Sequence, residues 1–137
     1  MPSNNPNPAQ PPEKSYEFKS ILLVDDDKQL AMALQWVLAD QNFLVDVAND
    51  GAEALDKIRE HEYDAIVCDL MMPRLRGDQL YLNACGTRPE LAGRFIFITG
   101  FAADPQIGKF LTESKAKYLM KPFPIANLVT CLNELLA

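Results

Sequence analysis

Five short apolar runs alternate with five stretches whose apolar residues recur every three or four positions. Ser20–Val24 (SILLV) is the first run, and it stops abruptly at acids. A run that is apolar throughout fits a strand covered on both faces, as in a parallel sheet. Residues 28–40 (KQLAMALQWVLAD) follow, with Leu30, Ala33, Leu34, Val37 and Leu38 at helical spacing on one expected apolar face. Phe43–Ala48 reads as a second strand, Asn49-Asp50-Gly51 as a turn, and residues 52–60 as a helix with Ala54, Leu55 and Ile58 inward. Asp64–Asp69 is a third apolar run ending in an acid. Pro73 breaks the chain, and Gly77-Asp78 opens a helix through Ala84. Arg94–Thr99 is the fourth run, closed by Gly100. Asp104-Pro105 is a helix start, with Asp as N-cap and Pro in the first turn, and that helix reaches about Glu113. Ala116–Met120 is the fifth run, ended by Lys121-Pro122. Ile125, Leu128, Val129, Leu132, Leu135 and Leu136 then mark a last amphipathic helix.

Strand followed by helix, five times over, implies an α/β fold: a parallel sheet with helices on both faces and right-handed crossovers. Ligands of such open sheets bind beyond the carboxyl ends of the strands, where strand order reverses. The residues at those ends are Asp25 and Asp26 after the first strand, Asp69 on the third, Thr99 on the fourth and Lys121 after the fifth.

Composition narrows the setting. The 137 residues are 48% hydrophobic and 23% charged, ordinary for one globular domain. Residues 1–18 hold five of the ten prolines and almost no large apolar side chain, so they read as a flexible tail or linker, leaving 19–137 as the domain. The net charge is −6 and no Lys/Arg cluster is present, which argues against nucleic acid as a partner. Cys68, Cys85 and Cys131 are odd in number and lack CxxC spacing, so free thiols are expected rather than disulfides or zinc. His61 is the only histidine and lies in a polar stretch, as a surface residue would. The lack of a signal pattern or a membrane-length apolar run points to the cytoplasm, with no direct membrane insertion.

A run of acids such as Asp25-Asp26-Asp27 is ordinarily a solvated face. Here two of them share a rim with Asp69, and converging carboxylates raise one another's pKa. A hard divalent cation relieves that repulsion. Mg²⁺ needs only one or two carboxylates, keeps several waters and accepts phosphate oxygens. Lys121 supplies positive charge to such oxygens, the Thr99 hydroxyl can donate to another, and a carboxylate can itself become an aspartyl phosphate.

ILLVDDD (21–27), AIVCDLMMP (65–73), FIFITG (95–100) and KYLMKPF (117–123) together resemble the response-regulator receiver (CheY-like) domain of two-component and phosphorelay signalling, over residues 19–137. Each motif alone is weak; four in this order on these strands are specific. The resemblance implies a doubly wound flavodoxin-like (βα)5 sheet of order 2-1-3-4-5. It implies Asp69 as phosphoacceptor, and Asp26 as a direct and Asp25 as a water-mediated ligand of Mg²⁺, with Mn²⁺ as substitute. The backbone carbonyl of Met71 would be a further ligand. Thr99 and Lys121 would contact the phosphoryl group, Tyr118 would be the aromatic switch coupled to Thr99, and the Lys121–Pro122 bond would be cis. The implied partners are a histidine kinase or histidine phosphotransfer protein and a downstream protein the sequence does not identify. Beyond its own phosphorylation and dephosphorylation the chain would be no enzyme. Asp27 is expected to be loop or helix cap, Asp64 to lie on the opposite rim, and Cys68 to pack in the core.

No output domain follows within these residues, which leaves two contexts open: a stand-alone regulator or relay shuttle, and a receiver belonging to a hybrid histidine kinase. Two rivals come from other classes. A Mg²⁺-dependent aspartyl phosphatase would need a proton donor two residues after Asp69, where Met71 stands. A pseudo-receiver that only binds partners would have no use for Asp26, Asp69, Thr99 and Lys121 together. Met71 and Phe101 flank the expected site of attacking water and can orient none, so a comparatively long-lived phosphate is expected. Met32 and Trp36, four apart and off the expected apolar face, are a candidate contact for a partner; the bland alternative is that Trp36 lies flat on its own helix or on the N-terminal tail.

Overall fold

The computed structural model describes residues 18–72, 74–100 and 103–137. The tail reading for the first seventeen residues and the expectations for Pro73 and Phe101 lie outside them. The order is β1 (Lys19–Val24), α1 (Lys28–Asp40), β2 (Phe43–Ala48), α2 (Gly51–Glu60), β3 (Ala65–Asp69), α3 (Gly77–Thr87), β4 (Phe95–Thr99), α4 (Pro105–Ser114), β5 (Lys117–Met120) and α5 (Ile125–Leu136). The five strands form one parallel sheet, β2-β1-β3-β4-β5. This is the doubly wound order expected above, and the reversal falls between β1 and β3.

Alternation along the strands sends side chains to two cores. Leu22, Val24, Ile66, Cys68, Phe95 and Phe97 pack under α2, α3 and α4. Ile21, Leu23, Val67, Ile96 and Ile98 pack under α1 and α5, against Ala31, Leu34, Leu38, Leu128 and Leu132. β1, β3 and β4 are buried almost throughout, which explains their unbroken apolar runs, whereas β5 is an edge with three of its four residues exposed.

Aspartate caps start three of the helices, at the expected Asp27 and Asp104 and also at Asp50, read above as part of a turn. Asp27 Oδ1 accepts from the Leu30 N–H at 3.1 Å. Asp50 Oδ1 accepts from the Glu53 N–H at 2.8 Å, and Glu53 returns the contact to the Asn49 N–H at 2.8 Å. Asp104 Oδ1 accepts from Gln106 and Ile107.

Two expectations need correction. The buried face of α1 is Ala31, Leu34 and Leu38, while Ala33 is exposed and Val37 only half-buried. The helix is rotated by part of a turn from the expected stripe: Ala31, Leu34 and Leu38 pack into the core shared with α5, and Gln35 donates to the Val45 carbonyl at 3.2 Å. Secondly, α3 runs to Thr87 and a 3-10 segment (Pro89–Arg94) follows where no element was expected. Leu91 is its buried anchor, and ion pairs from Arg88 and Arg94 to Glu62 tie its ends to the loop before β3.

Candidate functional site

The reversal of strand order puts the end of β1 beside the end of β3, so Asp25 and Asp69 become neighbours although 44 residues apart in sequence. Carboxylate oxygens of Asp25, Asp26 and Asp69 all lie within 4.8 Å of one another. Asp25 and Asp69 are buried, at 1% and 5% exposure, while Asp26 is open to solvent. Lys121, at the end of β5, brings its Nζ to 3.0 Å from Asp69 Oδ2 and 3.9 Å from Asp25 Oδ2. Its own N–H donates to the Thr99 carbonyl at 2.8 Å, which locks the end of β5 to the end of β4. The Lys121–Pro122 peptide bond is cis.

Backbone donors orient both buried acids. Asp25 Oδ1 accepts from the Asp27 N–H at 2.9 Å, and Asp69 Oδ1 accepts from the Met71 N–H at 3.0 Å. Neither amide contact is legible in the sequence, where Met71 stands out for its carbonyl and its side chain and Asp27 as loop or cap. The remaining Asp25 oxygen, Oδ2, is buried without a hydrogen-bond partner among the described residues. A buried carboxylate oxygen left in that state is costly unless a charge meets it.

Electrostatics follow from this placement. Burial pushes the Asp25 carboxyl up to about 6; the Asp27 N–H and Lys121 oppose the rise, and the charges of Asp69 and Asp26 add to it. Burial alone would lower the Lys121 ammonium, but its hydrogen bond to Asp69 and the charges of Asp69, Asp25 and Asp27 outweigh that and hold it above the ordinary lysine value. The three-acid donor set, with one buried oxygen that accepts no hydrogen bond among the described residues, fits a hard divalent cation.

Thr99 is fully buried at the end of β4. Tyr118 pairs with Phe97 across β4 and β5 and is 46% exposed, so its ring lies outward. Met71 sits at the rim, exposed. Cys68 is in the core, its thiol donating to the Asp69 carbonyl at 3.3 Å, and burial pushes that thiol far up. Asp64 occupies the opposite rim, where Oδ2 accepts from the Ser20 N–H at 2.7 Å. His61 is exposed at the end of α2 and the three cysteines are free.

The family model for the response regulator receiver domain matches residues 21–133. The chain belongs to that family. It is a receiver domain of two-component signalling. Response regulator MprA of Mycobacterium tuberculosis is 34% identical over 116 residues, covering 85% of this chain and 50% of that protein. Sensor kinase CckA of Brucella abortus is 32% identical over 119 residues, covering 85% of this chain but 12% of the kinase. The chain thus spans half or less of these curated relatives. Among solved structures, a CheY-like receiver domain protein from Methanospirillum hungatei superposes with a TM-score of 0.80 at 28% identity, covering 88% of this chain and 94% of that one. The receiver domain of Francisella response regulator 1452 gives 0.76 at 31% identity, with 86% and 96% covered. No helix among the described residues of the receiver is long and apolar enough to cross a membrane.

Proposed function

We propose that this receiver accepts a phosphoryl group on Asp69 from a histidine kinase or histidine phosphotransfer protein, with Mg²⁺ held by Asp25, Asp26, Asp69 and the Met71 carbonyl. The observation that carries this reading is the pairing of a buried, amide-oriented Asp69 carboxylate with Lys121 at 3.0 Å, beside a buried Asp25 oxygen that accepts no hydrogen bond among the described residues. A carboxylate oxygen of Asp69 attacks phosphorus, the P–N bond of the donor phosphohistidine breaks, and its electron pair returns to the imidazole. Lys121 follows the charge from Asp69 onto the phosphoryl oxygens, and the Thr99 hydroxyl donates to another of them. The Met71 amide keeps the nucleophile oriented throughout. Bound Mg²⁺ would supply charge neutralisation at the phosphoryl oxygens.

Signal output is read as a coupled shift: Thr99 is drawn toward the phosphoryl group and the outward Tyr118 ring turns in, which changes the α4–β5–α5 face that a downstream protein would read. Residues 19–137 constitute the switch and 1–18 a linker, on the compositional contrast between them. Relatives occur both as response regulators and within a sensor kinase, so a stand-alone regulator and a receiver of a hybrid kinase are both consistent settings.

Incubation with Mg²⁺ and a small acyl-phosphate donor tests the reading by intact mass. One added phosphoryl group, lost in Asp69→Asn, is expected. Sustained donor turnover without a lasting adduct would favour a phosphatase, and no adduct at all a binding module.

A further inference from the structure

Leu75, between β3 and α3, rests on the start of α2. A Cβ on Gly51 would lie 2.1 Å from the Leu75 carbonyl oxygen, so the Leu75 backbone is seated directly on the helix. Beside that contact, Arg74 Nη1 lies 3.1 Å from Asp50 Oδ2. Asp50 therefore uses one oxygen to cap α2 and the other to take the guanidinium. Arg74 makes this contact with a left-handed backbone, φ 70°. That conformation is unfavourable for any residue with a Cβ. An exposed ion pair by itself adds little to stability. A strained residue kept in the segment that follows Asp69 points instead to a use for the conformation it enforces. What the loop carries is the Met71 N–H that orients Asp69, at 3.0 Å. Its far end is fixed by the Gly77 N–H on the Leu70 carbonyl at 3.1 Å.

We propose that Arg74 and Asp50 form a latch that positions the loop after Asp69, so that the Met71 backbone and the Asp69 carboxylate meet cation and phosphoryl group in register. The inference rests on Asp69 being the phosphoacceptor. Arg74 touches neither cation nor phosphate, and is a positioning residue. Its charge gives the idea a distinctive sign. Acting only through its charge, a cationic side chain opposes the binding of a second cation, so its removal would leave Mg²⁺ binding unchanged or tighten it. Acting as a latch, its removal weakens Mg²⁺ binding by loosening the donors.

The test measures Mg²⁺ affinity by titration calorimetry and Asp69 phosphorylation rate from a small acyl phosphate, in Arg74→Ala, Arg74→Gln, Asp50→Asn and the pairs. Asn at position 50 can still cap α2, and Gln at 74 preserves side-chain length should Ala disturb the loop's fold. Each Arg74 variant is expected to weaken Mg²⁺ binding about 10-fold and to slow phosphorylation by a similar factor. In the Asp50→Asn background the same Arg74 substitutions are expected to do nothing further, because the pair is already broken. Unchanged or tighter Mg²⁺ binding in Arg74→Gln overturns the latch, as does an equal loss in both backgrounds. A wild-type protein that takes up no phosphoryl group defeats the reading of the site itself, whereas an active wild type with unaffected Arg74 variants defeats the latch alone.

Discussion

Burial changes the chemistry of Asp25. Its carboxyl is buried and pushed up to about 6, while the unfolded chain would titrate it near ~3.9. A raised carboxylate favours the proton-bound native state, so its contribution to stability is present below the unfolded value and is lost as pH rises through about 6. Asn at this position can still accept the Asp27 N–H and carries no charge. Asp25→Asn is therefore expected to stabilise the metal-free protein by about 1–3 kcal/mol at neutral pH. The gain should shrink to nothing near pH 4, as read by urea unfolding in chelator across that range, while the variant loses Mg²⁺ binding. Met71 carries the second prediction at this scale. It stands exposed two residues after Asp69 and can orient no water. Met71→Asn should shorten the lifetime of the phosphorylated form several-fold, followed by the decay of the added mass; an unchanged decay would remove the idea that this side chain sets the lifetime.

At the scale of elements, the close seating of α3 under the site depends on Gly77. A Cβ there would come within 2.6 Å of the Asp69 carbonyl oxygen and 2.8 Å of the Leu70 Cα, both backbone atoms that cannot swing away. Gly77→Ala is expected to cost about 1–3 kcal/mol through forced backbone shifts. For a domain of this size that should lower the thermal midpoint by several degrees, with weaker Mg²⁺ binding besides. Gly86, near the end of the same helix, has nothing within 4 Å of its would-be Cβ. Gly86→Ala should instead raise stability by about 0.5 kcal/mol through helix propensity. Opposite signs from one substitution in one helix separate packing from propensity in a single calorimetric series.

The whole molecule has one reactive rim and a surface on which α1 stands out. Met32 and Trp36 are exposed on α1, Trp36 at 74%, while Leu30 and Leu34 of the same helix line a small apolar groove with Pro122, Phe123 and Ile125 beside Lys121. Such solvent exposure does not fit a ring lying flat on its own helix. Trp36→Ala is expected to slow phosphoryl transfer from a donor protein while leaving transfer from a small acyl phosphate and Mg²⁺ affinity unchanged; equal loss with both donors would count against a docking role. The order of elements, the caps and the identity of the rim residues were legible along the chain, because strand and helix periods differ and because acids stop a buried strand. Phase and contact were not. Ala31 rather than Ala33 turned inward on α1, since an apolar stripe admits a rotation of part of a turn until the sheet chooses. The 3-10 segment at Pro89–Arg94 carries no period, and its ends are tied by arginine–glutamate pairs formed across the fold. The sequence alone determined which groups stand at the strand ends. Only the tertiary structure brought Lys121 to Asp69 across 52 residues, left one Asp25 oxygen buried without a hydrogen bond among the described residues, and joined Arg74 to Asp50. Burial and through-space charge are sums over neighbours distant in the chain, and those neighbours are chosen by strand order.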